Sequence, residues 1–200
     1  MQKIVGQMLV KKIVIVLLLA AAGAAYAQFR IGDKLASPAT KDGRLMNYKA
    51  TKWEELSPKD WDPYASLKSL TLSTMRDGDP RAQEALDNLM ASLNNAPIVP
   101  AMDKQGIKIT GFMIPITKNK DDVISFLLVP YFGACIHTPP PPSNQVLFVV
   151  PDKPVKGGVT MDAVTVSGEV LIQRTDSPWG SAGYRVNAKF VDPYVEPKRK

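Results

Sequence analysis

The chain has 200 residues, 45 % of them hydrophobic and 22 % charged, a balance that excludes a disordered tail, a collagen-like fibre and a multispanning membrane protein. Its formal net charge is +6, but Lys3, Lys11 and Lys12 lie in an N-terminal leader and Lys198, Arg199 and Lys200 close the C-terminus, so the part that folds is close to neutral and offers no basic face for nucleic acid. A single Cys and a single His exclude an intramolecular disulfide, a zinc finger and a multi-His metal site.

In chain order, Lys11 and Lys12 precede an apolar run over 13–22, and small residues ending Ala25, Tyr26, Ala27 follow it. This is the pattern of an export signal. Residues 1–27 are therefore expected to be a signal peptide cut near Ala27, leaving roughly 173 residues, the size of one domain. From Ile13 to Ala27 the run is about fifteen residues against the ~20 that a spanning helix needs. No transmembrane helix of its own is expected after cleavage, and the mature protein is expected in a bacterial periplasm.

Residues 28–96 read as an N-terminal arm and helical segment. The arm, 28–47, is polar and without period. Tyr48, Trp53, Leu56, Trp61 and Tyr64 then form an aromatic cluster interrupted by Pro58 and Pro63, a turn-rich stretch whose tryptophans are expected against a core. A helix begins at Asp79 as N-cap with Pro80 at its first position. Ala82, Ala85, Leu86, Leu89, Met90 and Leu93 recur at helical spacing as one apolar stripe, and Asn94 and Asn95 end it.

Residues 97–200 change to β character. Strands are predicted over 106–116, 123–129, 145–150, 161–172 and 184–191. Val164, Val166, Gly168, Val170 and Ile172 share one face, and so do Tyr184, Val186, Ala188 and Phe190. Gly111 and Gly168 interrupt alternating strands, where glycine marks a bulge or a sharp bend. The expected fold is mainly β, a small five-stranded OB-like barrel with an N-terminal helical segment, α+β overall.

The chemistry concentrates in one string, LLVPYFGACIHTPPPPSNQ over 127–145, which places the only Cys and the only His two residues apart. On an extended backbone Cys135 and His137 project to the same side with Ile136 opposite. A thiolate beside an imidazole can share Zn²⁺ or Cu(I), or the imidazole can activate the thiol as a nucleophile. Pro139, Pro140, Pro141 and Pro142 favour a stiff polyproline II rod beside the pair, a binding rim to which Asn144 and Gln145 would add hydrogen bonds. A buried structural cysteine is the third reading, since Phe132, Ala134 and Ile136 are apolar. No acid is placed to orient His137 and no glycine-rich phosphate loop exists, so the case for an enzyme is thin.

KWEELSP over 52–58, ITGFMIP over 109–115 and FLLVPYFGACIHTPPPPSNQ over 126–145 resemble an uncharacterised family of bacterial exported proteins, catalogued as a domain of unknown function. The resemblance implies a periplasmic or lipid-anchored protein, in some cases encoded beside transporter permeases in sets that respond to zinc limitation. The expectation is an accessory binding protein in transition-metal or small-ligand ABC transport, holding Zn²⁺ or Cu at Cys135 and His137 and working with a permease or another periplasmic partner. The alternatives are a structural adaptor docking on a membrane transporter through the proline edge, and a thiol-dependent enzyme using Cys135 and His137.

Overall fold

The computed structural model describes residues 29–35, 48–65, 80–135 and 140–195. The signal peptide, most of the arm, the Asp79 cap, His137 and Pro139 lie outside the described residues. The chain divides into two compact units, Met1–Arg30 and Ile31–Lys200, and every element below belongs to the second.

Eight strands and one α-helix are described: β1 (Lys49–Ala50), α1 (Pro80–Asn94), β2 (Gly106–Asn119), β3 (Asp122–Val129), β4 (Leu147–Pro151), β5 (Ala163–Leu171), β6 (Thr175–Ser177), β7 (Gly180–Ala182) and β8 (Tyr184–Pro193). β2 and β3 form a long antiparallel hairpin whose tight turn holds Lys120 at φ 55°. β4 continues antiparallel to β3 and runs parallel to β8, β8 pairs antiparallel with β5, and β5 returns to β2. Five strands thus close a barrel, the OB-like architecture that leaves no open sheet edge in the ring. The sequence places all five within a few residues of their observed bounds.

Alternation fills the interior. Ile107, Ile109 and Met113 of β2, Phe126 and Leu128 of β3, Leu147 and Val149 of β4, Val164, Val166 and Val170 of β5, and Tyr184 and Val186 of β8 form one apolar cluster. The second half of β3, Phe126 to Val129, is an unbroken apolar run because it is buried on both faces: Leu127 and Val129, pointing away from that cluster, are as inaccessible as Phe126 and Leu128.

Both predicted strand glycines are steric necessities, for different reasons. At Gly168 the register slips: Ser167 pairs with Phe190 but Gly168 with Ala188, so Lys189 is an extra residue in β8. A Cβ on Gly168 would collide with the Asn187 carbonyl and with Ala188 Cα. The bulge reverses the alternation beyond it. Val191 therefore packs on the core, while Phe190, expected on the face of Tyr184, turns outward to meet the Tyr48 ring edge-on at 6.4 Å. Gly111 sits in unbroken register with β5 and marks no bulge. A Cβ there would lie 2.6 Å from the Val129 carbonyl and 2.9 Å from Trp53 Cζ2, so the glycine admits the indole.

That indole ties the preceding segment to the barrel. Trp53 and Leu56, on a 3-10 turn over Trp53–Leu56, belong to the barrel's own core. Trp53 Nε1 donates to the Thr110 carbonyl at 2.8 Å. The buried Tyr184 hydroxyl donates to the Leu56 carbonyl at 2.9 Å and accepts from Val99 N–H at 2.6 Å. Without the Tyr184 hydroxyl the Leu56 carbonyl and the Val99 N–H would each lose this partner.

α1 attaches more lightly. Ala85 and Leu93 are buried and Ala82, Leu89 and Met90 half-buried, but Leu86, counted in the apolar stripe, is 49 % exposed. One residue on from Ala85, it lies about 100° around the helix from the buried line. The C-terminal end is held by Arg174 Nη1, which donates to the Asn94 carbonyl at 2.6 Å, satisfying a carbonyl the helix leaves open and placing a cation at its negative end.

Candidate functional site

The chemistry-bearing string connects β3 to β4, and both of its ends are anchored. Past β3, Phe132 exchanges backbone bonds with the arm: Gly32 N–H donates to the Phe132 carbonyl at 2.8 Å and Phe132 N–H to the Asp33 carbonyl at 2.9 Å. The Phe132 ring meets buried Phe112 edge-on at 5.5 Å. Gly133 turns the chain with φ 84°, a conformation that disfavours any side chain. Its N–H points at Met161 Sδ, 3.3 Å away, and Ala134 is fully buried.

Cys135 follows with φ 64°. A left-handed non-glycine residue is uncommon and marks a position that the surrounding structure over-determines. It also corrects the extended geometry assumed from the sequence: alternation does not carry through a left-handed residue, so the two-residue spacing does not by itself put the Cys135 and His137 side chains on one side. The thiol is half-buried, and burial pushes its pKa up from 9.0 to about 11. Desolvation disfavours the thiolate, so at neutral pH Cys135 is a protonated thiol.

The other end of the string is the proline rim. Pro140 is half-buried and packs toward the β6–β7 hairpin, where a Cβ on Gly180 would lie 3.3 Å from Pro140 Cβ. Pro141 is buried, and Pro142 has φ −53° and ψ 146°, close to polyproline II. The hairpin itself, with Trp179 43 % exposed in its turn, is missing from the sequence reading because three-residue strands leave no period to detect.

Asn144 and Gln145 are framework groups here. On a 3-10 turn over Ser143–Gln145, Asn144 is fully buried and its Nδ2 donates to the Pro97 carbonyl at 2.8 Å. Its Oδ1 is buried with no hydrogen-bond partner among the described residues. Gln145 Nε2 donates to the Trp53 carbonyl at 2.7 Å and to Ser57 Oγ at 2.8 Å. The Ser143 carbonyl accepts from Gly183 N–H at 2.7 Å. Asn144 Nδ2 thus ties the rim to the segment after α1, and Gln145 Nε2 ties it to the tryptophan segment.

A family model described as a protein of unknown function, DUF3299, matches residues 53–193, a span running from the first tryptophan of the barrel core to the last residue of β8. Among solved structures, the chain is similar to the crystal structure of a DUF3299 family protein from Pseudomonas aeruginosa PAO1, with 31 % identity and a TM-score of 0.56, covering 72 % of this chain and 95 % of that one. No curated protein matches the sequence.

Proposed function

The chain belongs to the DUF3299 family of proteins of unknown function, and we propose that it is an exported, non-catalytic accessory protein that binds a transition-metal ion, Zn²⁺ or Cu(I), through Cys135 and His137 in the service of ABC transport. The observation that carries the reading is the state of Cys135, a half-buried thiol on a left-handed turn whose pKa stands at about 11. Such a thiol is a poor nucleophile at neutral pH, which weighs against thiol-dependent catalysis. A soft metal ion can still displace its proton, because the metal–thiolate bond replaces the hydration that burial removed.

The ligand inventory supports an accessory role. With one Cys and one His in the whole chain, soft donors supply two of the roughly three or four positions a closed site needs. Such a site is open, and a partner chain completes it beside the rim. The half-buried Pro140 and Pro142, held by the buried Pro141 between them, suit that docking because a stiff rod has little backbone entropy left to lose.

Metal titration of the exported protein at two pH values, with Cys135→Ser alongside, tests this. Expected is a site whose affinity rises about tenfold per pH unit, since binding releases the thiol proton, and which Cys135→Ser weakens strongly without unfolding the barrel. Metal binding unchanged by the substitution, or absent both alone and with permease or periplasmic partner chains, overturns the proposal.

A further inference from the structure

A second site, away from the cysteine, opens where the barrel's parallel pair ends. β4 leaves β8 after Pro151 pairs with Ala188, and the chain beyond it diverges from the last residues of β8, enclosing a groove of about 550 Å³. That volume lies within the ~300–1,000 Å³ of small-molecule sites. We infer that this groove binds a small amphiphilic monoanion, a carboxylate on an apolar body.

The apolar body is matched by the walls, Pro151, Pro154 and Val155 on one side and Val191 and Pro193 on the other. Three of these are prolines, which stiffen the walls and offer no N–H to an anion. The Asp152 and Val155 N–H groups are spent on the Ala188 and Val123 carbonyls, so the headgroup is assigned to the lysine side chains. Lys153 and Lys156 line the groove, are exposed, and make no hydrogen bond or ion pair among the described residues. Lys189 is different: its Nζ lies 2.7 Å from Asp152 Oδ2, and that carboxylate raises its pKa. Three lysines against Asp152 and Asp192 leave the lining with one net positive charge. A monoanion neutralises this charge, whereas a dianion such as phosphate would overshoot it and face the two aspartates.

The test is an amide-resonance NMR titration of the mature chain with octanoate, against octanol as the neutral tail and acetate as the bare headgroup. Expected are saturable amide shifts confined to residues 152, 153, 155, 156 and 189–192, with octanol and acetate each at least about tenfold weaker. Lys153→Ala with Lys156→Ala should weaken octanoate about tenfold or more, while leaving resonances elsewhere in the barrel in place, since both side chains are exposed. Octanol binding as tightly as octanoate, shifts outside the groove, no saturation, or an unaffected double variant would each overturn the inference.

Discussion

The cysteine offers the sharpest measurement on this protein, because the chain has only one and every thiol signal belongs to it. Burial moves its pKa from 9.0 to about 11. At about pH 8 an ordinary thiol of that reference value is ~10 % ionised and Cys135 ~0.1 %, so iodoacetamide should alkylate it more slowly than a free peptide cysteine, by at most about 100-fold because a more basic thiolate is also more nucleophilic. Restricted access slows the reaction too, but by a factor independent of pH. The shape of the profile separates the two effects: the folded protein's rate should climb about tenfold per pH unit to nearly pH 11, while the urea-unfolded chain levels off near 9. The linkage has a definite sign. The folded state keeps a proton that the unfolded state has lost, so stability is untouched below about pH 9 and declines as pH rises toward 11. Stopped-flow or mass-spectrometric alkylation across about pH 7–11 measures this directly. A profile levelling off below about 8, with fast reaction at neutral pH, would refute the argument from burial and return the thiol-dependent enzyme to first place.

Two framework substitutions probe how the tryptophan segment is held. Gly111→Ala forces a methyl against the Val129 carbonyl and Trp53 Cζ2 and should cost about 3 kcal/mol in urea unfolding; adding Trp53→Phe relieves the indole clash but not the one with backbone, so rescue should be partial. Tyr184→Phe strips a partner from both the Leu56 carbonyl and Val99 N–H and should cost about 3 kcal/mol by the same measurement, with faster hydrogen exchange at Val99.

How legible the fold was depended on whether local pattern or long-range contact decided each element. Five strands of alternating or continuous apolar character were readable because the barrel interior imposes that pattern on each one separately. Phe190 was misplaced because one extra residue, Lys189, reverses every facing beyond it, and no period announces an insertion. Gly168 did signal the bulge, although on the strand opposite. Leu86 was misplaced because a helix touching its support along a narrow line buries less than its apolar content suggests. Of the tryptophan cluster only Trp53 and Leu56 enter a core, and that core is the barrel's own; Trp61 is half-buried outside it and Tyr64 is exposed.

The candidate site was legible as a string and opaque as a geometry, and the reason lies in its prolines. A run without N–H donors cannot fix its position by its own backbone bonds, so the residues flanking it must do so. On one side Phe132 bonds to Gly32 and Asp33, with Gly133 beside Met161. On the other, Ser143, Asn144 and Gln145 reach Gly183, Pro97, Trp53 and Ser57. Polar residues next to a proline run suggest ligand contacts when only the sequence is considered; their hydrogen bonds make them the anchors such a run requires. SNQ holds and the prolines stiffen, while Cys135, last residue of the opposite anchor, has no hydrogen bond among the described residues. The proposed metal site rests on that thiol and on the one histidine two residues beyond it.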